Sequence, residues 1–343
     1  IVVVVLLCLC APSFADRYGM RTFQTVGNDS DIPLGVVTAL FQDDKGFVWI
    51  GTQRGLVKYD GYRFKNYQYD KNNANSVAGN FISVIKQDRS GYLWVGTGSN
   101  GLSVFNPDNN TFQHFKHNSN VQQSLSHNQV RDIAFDQHGD AWIATAGGLD
   151  HISNDKRIVT RYQHSGINPL VNKVLIDNKN RLWAGTKETI QLFDIQQRNF
   201  TAAIQTTSKY AVTALFEGDN DEIWFGTKEH GLRIFDGLSL QPIKGQSTIT
   251  LSHPWVSSIL AVSRNEIWVA TFGGGIDVID AQSKRVIEHI KRDPSIDSTL
   301  NLDSVSSLMK DDTDLLWIGT WGKGLNKYNA HHQAFRVIRH SPT

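Results

Sequence analysis

Tryptophan returns at positions 49, 94, 142, 183, 224, 268 and 317, at intervals of 45, 48, 41, 41, 44 and 49 residues. No other feature of the 343-residue chain constrains its fold as strongly. Self-similarity at a period of roughly 20–50 residues signals a repeat architecture, in which each unit buries its apolar face against its neighbours. The copies align without gaps over the twelve positions before each Trp. Twelve before stand Val37, Ile82, Val130, Val171, Val212, Val256 and Val305, all β-branched. Nine before stand Leu40, Ile85, Ile133, Val174, Leu215, Ile259 and Leu308. Three before stand Gly46, Gly91, Gly139, Asn180, Asp221, Asn265 and Asp314, residue types that tolerate a left-handed backbone in a tight turn. Six before is Asp in five copies (Asp43, Asp88, Asp136, Asp177, Asp311), and three after is Thr in all seven.

Each unit reads as four short strands. In the second copy, 81–87 carries the β-branched and aliphatic pair, and a turn closed by Gly91 leads into 91–97. That strand is apolar on both faces (Leu93, Trp94, Val95) and so belongs inside a sheet. A Gly-Leu step opens the third strand at 101–106, and a polar turn leads to the fourth at 111–116. Four strands per unit, seven times over, predict an all-β chain: one seven-bladed β-propeller of four-stranded antiparallel blades over 16–343. The blades fall near 35–68, 80–117, 128–163, 170–204, 210–244, 254–290 and 303–340. No segment carries a sustained helical stripe. Two terminal segments, 20–26 and 334–340, both resemble fourth strands, and one of them must close the ring.

Residues 1–10 are unbroken apolar, and Ala11-Pro12-Ser13-Phe14-Ala15 follows with small residues before Asp16. This predicts an incomplete secretory signal peptide over 1–15, because a membrane-spanning helix needs about 20 apolar residues. Both cysteines, Cys8 and Cys10, lie in that segment. The rest of the chain therefore has no disulfide, thiol nucleophile or Cys-ligated zinc, which suits a bacterial periplasm. With 34 Lys+Arg against 33 Asp+Glu, the net charge of +1 argues against nucleic acid as a partner.

The units resemble the two-component regulator propeller repeat, in which an aliphatic strand precedes Asp-x-x-Gly-x-Leu-Trp-Ile-Gly-Thr, then Gly-Leu and Phe/Tyr. Residues 88–97 with Gly101-Leu102 and Phe105 match it, as do 46–52 with Gly55-Leu56 and Tyr59, and 317–320 with Gly324-Leu325 and Tyr328. Blades four to six depart: Thr189-Ile190 replaces Gly-Leu, and Gly218 and Val262 replace the Asp. The resemblance implies the extracytoplasmic sensor part of a bacterial receptor anchored in the inner membrane. Such a receptor signals through a downstream histidine kinase or diguanylate cyclase, and a homodimer of the full-length receptor is compatible with it. Catalysis is not expected of the propeller itself.

The residues agree with that expectation. The repeated Asp is read as an acceptor of backbone N–H bonds inside its own turn, and the repeated Thr and Trp as turn and core. Twelve His are scattered without metal-ligand spacing. No nucleophile elbow or phosphate-cradling loop is present, so no catalytic residue, metal or cofactor is expected. The long connections are between blades, at 69–79, 118–127 and 291–302, and they emerge on the same face as the second-to-third strand loops. Loops on a rigid scaffold are where binding resides. The candidates there are Arg54, Lys187, Glu188, Lys228, Glu229, His230, Trp255, Phe272, Trp321 and Lys323. Charged residues beside aromatics suit a polar ligand with flat faces, such as an oligosaccharide. The alternatives are an exported propeller enzyme, a lyase or glycan-active one, and a protein-interaction scaffold.

Overall fold

The computed structural model describes residues 21–28, 30–162, 170–205, 211–243 and 249–330. The expected signal segment, 1–15, and the second closing-strand candidate, 334–340, lie outside the described residues. Seven antiparallel sheets stand around one axis. Their innermost strands are Val37–Gln42, Ile82–Gln87, Val130–Phe135, Val171–Ile176, Val212–Glu217, Val256–Ala261 and Val305–Lys310. Each packs on the next, and Val37–Gln42 packs on Val305–Lys310, so the ring is closed.

Closure comes from the N-terminal side. Phe23–Val26 pairs antiparallel with Leu325–Asn329 and supplies the outermost strand of blade seven. Phe23 is buried against Tyr328 and Trp268, with ring centroids 5.3 and 6.4 Å away. Arg21, just before this strand, reaches Glu266 at 2.9 Å and Glu288 at 3.0 Å in blade six. Joining the first residues to the last blade removes the open edge and ties two blades together.

The invariant columns build the contact between blades. Two residues after each repeated Trp stands Gly or Ala, against which the next blade packs its β-branched residue. A Cβ on Gly96 would lie 2.6 Å from Val130 Cγ1, and one on Gly319 would lie 2.5 Å from Val37 Cγ1. The same contact therefore recurs across the seam between blades seven and one.

The seven tryptophans sit in the second strands and are all buried, Trp317 being the most exposed at 4%. In five blades the indole Nε1 donates to the repeated Asp, from 2.7 Å in Trp49–Asp43 to 3.0 Å in Trp142–Asp136. The other carboxylate oxygen closes the turn, as where Asp43 Oδ1 accepts from Lys45 N and Phe47 N. Blades five and six, which lack the Asp, use a glutamate two residues before the Trp. Trp224 donates to Glu222 at 2.8 Å and Trp268 to Glu266 at 2.5 Å. Each Glu is matched by a cation: Lys284 lies 2.6 Å from Glu222, and Arg21 binds Glu266. The indole is thus never left with an unsatisfied buried donor.

Blade five is the irregular one. Among the described residues its sheet has three strands, and isolated bridges, Pro242 to Phe235 and Ile249 to Leu232, hold the outer position. Pro242 has no N–H to give to a ladder at its own position.

Candidate ligand site at the channel mouth

The repeated Thr shapes every second-to-third strand loop. Its hydroxyl donates to the carbonyl that opens the third strand, as in Thr52 to Gly55 (2.8 Å), Thr97 to Gly101 (2.7 Å) and Thr320 to Gly324 (2.8 Å). The same pattern holds in the other four blades. In blades two, three, six and seven the residue after the Thr is fixed in turn by a backbone bond to the residue before the inner strand. Gly98 N donates to Phe81 O, and Phe272 N to Trp255 O, both at 2.9 Å. Loops of blades two, five, six and seven line one opening with Gly98, Lys228, Phe272 and Trp321.

There a cavity of about 460 Å³ is lined by all seven blades. One side is aromatic. Trp255 stacks on Phe272 at 4.5 Å between centroids, and Trp321 meets Phe272 edge-on at 5.5 Å. Phe81 adds a partly exposed ring. The other side is basic, with Arg131, Lys173 and Lys228 among the lining residues and no Asp or Glu among the described ones. Lys228 Nζ sits 4.6 Å from the Trp255 ring, a cation–π contact that joins the two halves.

Deeper in the mouth, each inner strand carries a β-bulge immediately after its first residue. A bulge re-aims the extra residue, and here it turns that side chain into the channel. In five blades the residue carries a hydroxyl that donates to the first carbonyl of the next inner strand. These are Thr38 to Ile82 (2.6 Å), Ser83 to Val130 (2.7 Å), Thr213 to Val256 (2.5 Å), Ser257 to Val305 (2.6 Å) and Ser306 to Val37 (2.6 Å). Blades three and four break this belt with Arg131 and Asn172. Arg131 Nη1 donates to Asn172 Oδ1 at 3.0 Å, and Nη2 to Gln129 Oε1 at 3.3 Å. Two buried donors, Arg131 Nε and Asn172 Nδ2, find no acceptor among the described residues. Burial holds the Arg131 pKa below the usual guanidinium value. Beside them Lys173 Nζ lies 3.7 Å from Asp132.

Of the residues expected from the sequence, Lys228, Trp255, Phe272 and Trp321 come together in this cavity. Arg54, Lys187, Glu188, Glu229, His230 and Lys323 lie in the same set of loops but do not line it. Arg131, Asn172 and Lys173 were not singled out in the sequence. Their signal was the column eleven before each Trp, which reads Thr, Ser, Arg, Asn, Thr, Ser, Ser. The two exceptions mark the break.

A family model described as the two component regulator propeller matches residues 31–54, 76–99 and 124–147. Blades one to three therefore each contain a match to this repeat. Curated proteins give no match. Among solved structures, the chain is similar to the extracellular domain of the hybrid two component system BT3049 from B. thetaiotaomicron, with 24% identity and a TM-score of 0.77 over 90% of this chain and 42% of that one. The corresponding domain of BT4673 from the same organism gives 20% identity and 0.74, over 90% and 40%. Virginiamycin B lyase from Staphylococcus aureus gives 14% and 0.71, over 89% and 98%. The chain spans about two fifths of the length of these two extracellular domains. At these identities the likeness is one of fold.

The long inter-blade connections follow a pattern of their own. Three share one turn: Asp70 N, Asn118 N and Asp293 N each donate to the hydroxyl six residues on, in Ser76, Ser124 and Thr299, at 2.9–3.0 Å. Buried polar residues in the third strands then hold the connections down. Ser103 accepts from Ala78 N (2.9 Å), Asp150 from Ser126 N (2.8 Å), Asp277 from Ser252 N (2.9 Å) and Asn326 from Asn301 N (3.1 Å). The two aspartates differ. Asp277 Oδ1 lies 2.5 Å from His289 Nδ1, whereas Asp150 Oδ1 has no partner among the described residues. Burial accordingly pushes the Asp150 pKa up to about 7, against the opposing bonds from Ser126. No helix among the described residues is long and apolar enough to cross a membrane.

Proposed function

We propose that this chain is the extracytoplasmic ligand-sensing propeller of a bacterial two-component-type receptor. On this reading it binds a small polar ligand, an oligosaccharide or its fragment, at the channel mouth and reports occupancy to output domains elsewhere in the receptor. The observation that carries it is the mouth itself, where an aromatic wall and a basic wall from seven blades converge on loops fixed by one hydrogen-bond pattern. Stacking faces with polar groups beside them suit a pyranose ring, which presents an apolar face and an equatorial belt of hydroxyls. Rigid loops keep the ordering cost of binding low. The likeness to extracellular domains of hybrid two-component systems supports a sensory role, and the regulator repeats support the same assignment. Periplasmic location with an inner-membrane anchor follows from that role.

The test is a screen of oligosaccharides by thermal shift and calorimetry, on the wild-type chain and on Trp255→Ala and Trp321→Ala. A sensor of this kind gives at least one saturable ligand whose affinity falls about tenfold or more in the Trp variants. A ligand turned over by the propeller alone would instead favour an exported lyase or glycan-active enzyme.

A further inference from the structure

Five of the seven channel-facing residues close a belt of hydroxyl-to-carbonyl bonds, and the two that do not, Arg131 and Asn172, are adjacent. A defect of packing would leave a small apolar residue or a water-sized gap. Here the break brings a guanidinium and an amide bonded to each other in a way that commits the only acceptor of the amide, Asn172 Oδ1, to Arg131. What remains is donors: Arg131 Nε and Asn172 Nδ2, both buried and both on residues that line the cavity. Asn172 is only 8% exposed. Leaving such donors unmatched costs free energy that the rest of the belt avoids. Lys228 adds positive charge to the same wall, Lys173 stands beside it paired with Asp132 at 3.7 Å, and no Asp or Glu among the described residues lines the cavity.

We infer that the Arg131–Asn172 break is an anion subsite, and that the ligand of the mouth carries a carboxylate. The two donors would each meet one carboxylate oxygen, while the sugar ring lies toward Trp255 and Phe272. Charge-assisted bonds of this kind are stronger than neutral ones, and in a recessed site they are weakly screened. The inference rests on the proposed sensor reading and narrows it: the class of ligand is an acidic saccharide, a uronic-acid-bearing mono- or oligosaccharide.

The experiment titrates the chain with glucuronate and galacturonate and their disaccharides, with the matching neutral sugars, and with inorganic sulfate and phosphate. Calorimetry and thermal shift are the readouts. The variant is Arg131→Ser with Asn172→Thr, which rebuilds the hydroxyl belt found in the other five blades and so preserves the fold. The expected result is that a uronate binds at least tenfold tighter than its neutral counterpart, that its affinity falls as salt rises, and that the preference disappears in the double variant. Equal binding of acid and neutral sugar, or a preference that survives in the variant, overturns the subsite. So does binding of sulfate or phosphate with no response to any uronate, because the site would then be one for free oxyanions. If neutral sugars alone bind and Trp255→Ala weakens them, the subsite fails while the sensor reading stands. If nothing in the panel binds, the subsite is also rejected, and the wider saccharide screen then decides the sensor reading by itself.

Discussion

The tryptophan layer and the channel belt are two registers of the same repeat, and they treat departures from the pattern differently. In the tryptophan layer, blades five and six lose the Asp, yet Glu222 and Glu266 take over the indole, and Lys284 and Arg21 accompany them. Every donor stays satisfied. In the channel belt, blades three and four lose the hydroxyl, and the replacements leave Arg131 Nε and Asn172 Nδ2 without partners among the described residues. A departure that is compensated preserves structure. One that is left uncompensated, at the mouth of a cavity, marks where something other than stability set the residue.

The largest expected effect tests whether the tryptophan layer is as structural as this comparison requires. Trp94→Ala removes a buried indole packed against Phe115 and Phe135 and should cost ~3–5 kcal/mol in chemical denaturation. A loss below about 1 kcal/mol would mean that blade contacts do not depend on this layer.

Compensation itself can be transplanted. Asp88→Gly in blade two strips the indole of its acceptor and Lys156 of its partner 3.0 Å away, at a cost of about 2–4 kcal/mol. Adding Tyr92→Glu places a carboxylate two residues before Trp94, as in blades five and six, with Lys156 in the role of Lys284. The double variant should recover at least half of the loss. Purely additive costs would show that the Glu solution depends on its own blades.

These comparisons also show what was legible from the residues. Blade number, the inner β-branched column and the turn-forming Asp follow from columns in which one chemistry recurs, seven times for the β-branched residue and five for the Asp, because each copy serves the same contact. The left-handed turn was read in all seven blades from Gly, Asn or Asp, and six show positive φ, Asn265 of blade six being the exception. What escaped was the partnership between columns. Nothing in the single column at Gly218 or Val262 reveals that Glu222 and Glu266 replace the Asp, since the replacement arrives from another strand position. The long connections stood out by length alone, while the Ser76, Ser124 and Thr299 bonds that make three of them alike depend on spacing within the loop. Of the ten candidate residues, four reached the cavity: Lys228, Phe272 and Trp321 directly follow a repeated Thr and Trp255 directly precedes an inner strand, whereas Lys187, also next to its Thr, and the residues further along the loops do not line it.

A pH experiment tests Asp150, one of the buried residues that hold the connections. Asp150 has its folded pKa raised to about 7 by burial, so the folded state holds its proton where the unfolded chain, near the ordinary carboxylate value of about 4, has released it. Its contribution to stability is therefore most favourable below pH ~4 and is lost progressively as pH rises toward 7, levelling off above that. Integrated over the window this amounts to about 2–4 kcal/mol. Asp150→Asn keeps an acceptor for Ser126 N and cannot ionise. Its Tm should exceed that of the wild type at pH 8, with the gap closing toward pH 4. Parallel curves for the two proteins would show that Asp150 does not titrate in this window.

The smallest effect is the most telling for the belt. Replacing Arg131 with Ser and Asn172 with Thr gives both positions the hydroxyl found in blades one, two, five, six and seven. Each new hydroxyl has a carbonyl to meet, that of Val171 for position 131 and that of Val212 for position 172, by analogy with Ser83 and Val130. A net hydrogen bond contributes about 1 kcal/mol, and removing an unsatisfied buried donor adds to it. Against this stands the lost packing of the long Arg131 stem. The balance predicts a gain of about 0.5–1.5 kcal/mol, read as a rise in Tm or denaturation midpoint. Residues that improve stability when replaced by the consensus of their own repeat are those retained for another purpose. A clear loss of stability would place Arg131 and Asn172 with the compensated departures of the tryptophan layer, and the contrast between the two registers would dissolve.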